Sequence, residues 1–142
     1  MTDLPDFLAA RINEDREAVR EFAGTHWSGE YNEIEDDTGE SVLDMSYTGG
    51  CIAGFLEHAT RWDPARVRLE CDAKTGILLH YMTQRRRAEA LNRAHADNPA
   101  IFYPEPWDLS LRYLALPYRD HPDWQESWLP PEPGTVETWG RR

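Results

Sequence analysis

The sequence predicts a mostly α protein carrying one small β-hairpin, a compact α+β domain built on a long central helix. Three observations predict it. An apolar stripe at helical spacing opens the chain. Asp63-Pro64 starts a long run of helical character. Between the two, a pair of short segments flanks the turn-forming string Asp36-Asp37-Thr38-Gly39.

The first helix is expected over residues 3–22. Thr2 or Asp3 can cap it, and Pro5 falls in the first turn, where no amide donor is needed. Leu4, Phe7, Leu8, Ile12, Val19 and Phe22 recur three and four apart and form its buried stripe. Gly24 is placed to end it. The hairpin is expected at about residues 27–47, with strands Glu30–Glu35 and Ser41–Tyr47. Glu33, Glu35, Asp36, Asp37 and Glu40 crowd its tip. A lone hairpin is marginal in water, so this one must pack on helices.

Gly49-Gly50 breaks the chain, and residues 51–60 suit a short helix with Ile52, Phe55, Leu56 and Ala59 on one face. Asp63 is a natural N-cap and Pro64 a natural first helical residue for a helix reaching about Ala94. Val67, Cys71, Leu78, Tyr81 and Met82 form its core stripe, and Glu70 and Lys74 stand at the spacing of a helical ion pair. Gly76 weakens this helix by roughly 1 kcal/mol relative to alanine. Arg85, Arg86, Arg87 and Arg93 suit its negative C-terminal end. After Asp97-Asn98-Pro99, one more helix is expected from Trp107 to Leu116, burying Leu109, Leu111, Tyr113 and Leu114, with Pro117 as its stop. Residues 1–128 make a single α-rich domain, and residues 129–142 read as an extended or disordered tail.

With 142 residues and six tryptophans, the chain can bury a core without staples. Cys51 and Cys71 form neither a CxxC nor a zinc spacing and read as buried, reduced thiols. No secretory leader and no membrane span are visible, so a cytoplasmic protein is expected. The net charge of −11 is concentrated at the front: residues 1–50 hold 13 acidic residues against three arginines. Such a field opposes direct nucleic-acid binding, which needs a basic face. It would suit occupation of a basic groove on another protein, including one made for DNA. The Arg85–Arg86–Arg87 cluster could pair with an acidic partner or with the chain's own hairpin.

Gly-rich phosphate loops, nucleophile elbows and HExxH pairs are absent from the sequence. The set that could carry metal chemistry is His58, Asp63, His80 and His121. Seventeen residues of helix separate Asp63 from His80, roughly 25 Å. The candidate ligands for a divalent ion therefore reduce to His58, His80 and His121.

Two stretches carry a resemblance. The first is His58-Ala-Thr-Arg-Trp-Asp-Pro-Ala-Arg-Val67, followed by Glu70, Ala73-Lys74 and Ile77. The second is Leu111-Arg-Tyr-Leu-Ala-Leu-Pro-Tyr-Arg-Asp-His-Pro-Asp-Trp124, closed by Trp128 and Pro130. Together with the opening helix, they make residues 3–130 resemble a family of short proteins of unknown function from high-GC Gram-positive bacteria and their phages and prophages. The resemblance implies positions rather than chemistry. Asp63, Pro64, Arg66 and Val67 match the first motif, and Pro117, Tyr118, Asp120, His121 and Pro122 the second. Gly76 and the long stretch Thr83–Pro106 depart from the pattern. The expectation is a small acidic accessory or regulatory protein that binds a host or phage protein, with no enzymatic activity and no cofactor. The alternatives are a metal-binding protein or metal-dependent enzyme using the histidines, and a virion or assembly component.

Overall fold

A computed structural model describes residues 2–22, 26–30, 33–44, 53–96 and 108–131 of the chain. In order come α1 (Leu4–Ala18), β1 (Trp27–Glu30), β2 (Glu33–Asp36), β3 (Ser41–Asp44), α2 (Ala53–Arg61), α3 (Pro64–Ala94) and α4 (Asp108–Ala115). Two 3-10 turns follow, Leu116–Tyr118 and Glu126–Trp128. The fold is mostly helical with one small antiparallel sheet, and α3 is the long helix the Asp63-Pro64 signal announces. The expected helix limits at Gly24 and Trp107 and the tail from residue 132 fall outside the described residues, as does Cys51. Among the described residues, no helix is long and apolar enough to cross a membrane.

The chain gathers into two compact units, residues 1–11 with 76–142, and residues 12–75. In the first, the stripe of α1 does what its spacing predicts: Leu4, Phe7 and Leu8 are buried, together with Leu78 and Tyr81 of α3, Leu111 and Ala115 of α4, and Trp128. Asp3 is the cap of α1, its carboxylate accepting the Asp6 N–H at 3.0 Å. α4 ends at Ala115, one residue short of the expected limit, and Pro117 sits inside the 3-10 turn that follows. Phe7 lies at the centre of an aromatic cluster. Its ring centroid is 4.8 Å from that of Trp128, 5.7 Å from His121, 6.2 Å from Trp124 and 6.5 Å from Tyr118.

In the second unit, α1 ends at Ala18 rather than near residue 22. Arg68 of α3 donates to the Val19 carbonyl at 2.9 Å, satisfying an acceptor that the end of the helix exposes. Phe22 is 40% exposed, and its ring stands edge-on to Trp27 at 5.2 Å. Arg16 donates to Asp72 at 2.9 Å and to the Thr75 hydroxyl at 3.2 Å. The expected Glu70–Lys74 pair gives way to two others: Glu70 lies 3.5 Å from Arg66, and Lys74 lies 3.9 Å from Asp15 of α1. Exposed ion pairs are worth too little to resist a better-placed neighbour.

Asp63 caps α3 as its sequence position requires. One carboxylate oxygen accepts the Arg66 N–H at 2.8 Å, and the other lies 3.1 Å from His26 Nδ1. Asp63 itself is 8% exposed, so truncation would remove a buried cap and leave the first turn of α3 without its side-chain acceptor. Asp63→Ala is expected to lower stability by about 1–2 kcal/mol, and Asp63→Asn, which can still cap, by less. Urea unfolding followed by tryptophan fluorescence measures both; equal losses in the two variants would show that capping is not the source.

The expected hairpin is present as β2 and β3 about the loop at residues 37–39, and β1 adds a third strand. The sheet has three strands in the order β1-β2-β3, all antiparallel. The segment Glu30–Glu35, expected as one strand, is shared between β1 and β2. One face lies against α2, and Gly29 makes the close approach possible: a Cβ there would sit 3.3 Å from Thr60 Cγ2 and 3.4 Å from Leu56 Cβ. Ile34, 1% exposed, fills the centre of that face.

Candidate functional site: an acidic sheet face

The register of the sheet decides which of its acids share a surface. Side chains alternate along a strand, and cross-strand partners lie on the same face. Glu30 pairs with Glu33, and Glu33 with Asp44, so three carboxylates form a row across the sheet. Ser28, Glu35 and Ser41 form the next row. Ser28, Glu30, Glu33 and Glu35 together line a shallow depression of about 190 Å³. Glu30, Glu33 and Glu35 make no ion pair among the described residues. Like charges placed directly opposite each other destabilise a sheet, so this face is held in place by the packing behind it.

The hairpin-tip residues read from the sequence divide into two kinds. Glu33 and Glu35 are on the outward face. Asp36, one position on, belongs to the inward face and is 8% exposed. Its Oδ1 accepts the Thr38 hydroxyl at 2.6 Å, the Thr38 N–H at 2.9 Å and the Glu40 N–H at 3.1 Å. Gly39 N–H donates to the Asp36 carbonyl at 3.0 Å, and Gly39 takes a φ of 81°, open to glycine at no cost. Asp36 N–H then bonds to the Glu40 carbonyl at 3.0 Å, closing a three-residue loop. Asp36 is thus the ligand of the turn rather than a group offered to a partner. Asp37 and Glu40 are exposed at the loop.

The Thr38 hydroxyl, with the backbone N–H groups of Glu40 and Thr38, holds the Asp36 carboxyl below its ordinary value of 3.8, against the opposing effect of burial. A carboxyl depressed in the folded state adds stability that is present above its unfolded value and lost as pH falls through the folded one. Below about pH 4 the wild type is therefore expected to lose stability relative to Asp36→Asn, so that the gap between the two narrows on acidification. Urea midpoints at neutral pH and at about pH 3 test this; a gap that stays constant would refute it.

Of the arginine cluster, Arg85 lies 3.1 Å from Glu89 and 3.6 Å from Asp3, while Arg86 and Arg87 are exposed on α3. The histidines occupy separate local settings. His58 stands beside Trp62 on α2 with ring centroids 6.3 Å apart, and His80 is exposed on α3. His121 packs against Phe7, and its Nδ1 accepts from Arg11 Nη1 at 2.7 Å and from the Asp123 N–H at 3.1 Å. Among the described residues, no three His, Cys, Asp or Glu side chains form a group that could hold a metal ion. Cys71 is 1% exposed, and burial, then the Asp15 carboxylate, pushes its thiol up and away from the reactive thiolate.

Two arrangements escaped sequence reading. Arg11 sits on the buried side of α1, 8% exposed, because its partner His121 lies 110 residues away. His26, largely exposed, is tied to the buried Asp63. Neither pairing leaves a local signal.

The fold and this face define a small helix-rich acidic protein whose sheet is covered by a helix on one side and carries a group of carboxylates on the other. The chain belongs to the DUF6221 family, a family of unknown function, which matches residues 1–130. No curated protein and no solved structure matches it.

Proposed function

We propose that the chain is a small accessory or regulatory protein, of the kind carried by phages and prophages, that acts by binding another protein. Its docking surface is the outward face of the sheet, and its partner is a host or phage protein with a basic surface. The observation that carries this reading is the Glu30–Glu33–Asp44 row with Glu35 beside it. The directly opposed Glu30 and Glu33 cost the free protein stability, and a cationic partner relieves that repulsion on binding. The whole-chain charge of −11 speeds the approach of such a partner and keeps copies of the chain apart.

The test is affinity capture from host lysate with the wild type and with the triple variant Glu30→Gln, Glu33→Gln, Glu35→Gln. A stoichiometric partner is expected on the wild type, released by salt at several times the physiological level and missing from the variant. A partner held equally by both proteins would remove the sheet face from the interface. No partner on either would sink the interaction reading.

A further inference from the structure

The unit formed by residues 1–11 and 76–142 contains a cleft of about 440 Å³, within the range of small-molecule sites. Its lining combines buried rings with guanidinium groups. Tyr81 and Trp128, 4% and 7% exposed, give it an apolar base. Arg85 comes from α3 and Arg112 from α4. Arg112 Nε donates to Asp108 at 2.7 Å, and Nη1 lies 3.5 Å from the Leu129 carbonyl. These bonds fix the plane of the guanidinium, while Nη2 has no hydrogen bond among the described residues. Arg85 is steadied by Glu89 at 3.1 Å. The lining also includes the N-terminal ends of α1 and α4, both of which favour negative charge.

Asp3 and Asp108 line the same cleft and offset its two arginines. That balance sets the ligand class. A phosphate or other multiply charged anion would meet two carboxylates at close range, and a neutral molecule would leave the guanidinium edge unused. A single carboxylate on an apolar body satisfies both the rings and the open Nη2 donor of Arg112. We infer that this cleft is a binding site for a small monocarboxylic acid with an aromatic or aliphatic body, its carboxylate on Arg112 and its body against Tyr81 and Trp128. The site is separate from the acidic sheet face and does not depend on the role proposed for that face.

The full chain, titrated with phenylacetate and followed by amide and indole NMR shifts, tests the assignment. Saturable shifts centred on Trp128 and α4 are expected, with a dissociation constant of about 1–10 mM for so small a probe. Benzyl alcohol and benzylphosphonate, the neutral and dianionic counterparts, are expected to bind at least about tenfold more weakly. Arg112→Gln should abolish saturation, and Arg112→Lys should restore it only in part, because lysine keeps the charge but cannot hold Asp108 and Leu129 while presenting a fixed donor to the ligand. If Arg112→Gln fails to fold, Arg85→Gln takes its place, with a weakening of several-fold expected. Absence of saturable shifts in the wild type, equal binding of all three probes, or shifts unchanged in the arginine variants would each overturn the assignment.

Discussion

Phe7→Ala is expected to lower the stability of the protein by about 3–5 kcal/mol. Phe7 is 2% exposed and has four aromatic rings within 6.5 Å, with the Arg11 guanidinium 5.3 Å from its centroid. Removing the ring deletes the transfer free energy of a large side chain and leaves a cavity that its rigid neighbours cannot collapse to fill. Trp128, Trp124, Tyr118 and His121 each lose a tilted or edge-on partner as well. Small domains are stable by about 5–15 kcal/mol, so this one change removes a large part of the total. The melting temperature should fall by about 10 °C or more. Phe7→Leu keeps most of the volume and should cost well under half as much. Chemical unfolding followed by near-UV circular dichroism is the measurement, because the signal comes from the rings themselves. A Phe7→Ala midpoint within about 1 kcal/mol of the wild type would show that the cluster is loosely packed.

That cluster marks where the sequence stops being legible. The stripe of Leu4, Phe7, Leu8 and Ile12 can be read from spacing, because a helix turns each of them to one side. Asp63-Pro64 can be read because capping is local chemistry. Arg11 cannot, since its burial depends on an imidazole brought in from residue 121. The same holds for the last turn of α1, which ends where Arg68 meets the Val19 carbonyl and not at a glycine. The strands from Trp27 to Asp36 were obscured by composition: Gly29 occupies an inward position, so the apolar alternation that reveals a strand is broken where α2 comes closest. The acidic site was legible as a concentration of charge but not as a surface. Only the register shows that Glu33 and Glu35 look outward with Glu30, while Asp36 turns inward to hold the loop.

The second large effect has opposite signs in two measurements. The Glu30→Gln, Glu33→Gln, Glu35→Gln variant should bind the partner at least about tenfold more weakly, since each lost carboxylate removes attraction to a basic surface. It should also be more stable than the wild type by about 0.5 kcal/mol, because the Glu30–Glu33 opposition is relieved. Glutamine keeps the length and hydrogen-bonding capacity of glutamate, so packing against the neighbouring strands is preserved. High salt should erase the stability difference by screening the wild-type repulsion, while leaving the Phe7→Ala deficit nearly intact. The paired result matters more than either half. A residue that only supports the fold loses stability and binding together when it is changed. A face that gains stability while losing its partner is one whose charges are kept for recognition, at a cost to the free protein. If the triple variant proves less stable than the wild type at low salt, the carboxylates have structural partners and the face is part of the scaffold. If it is more stable and still binds fully, the acids oppose one another without serving the interface, and the docking surface lies elsewhere on the chain.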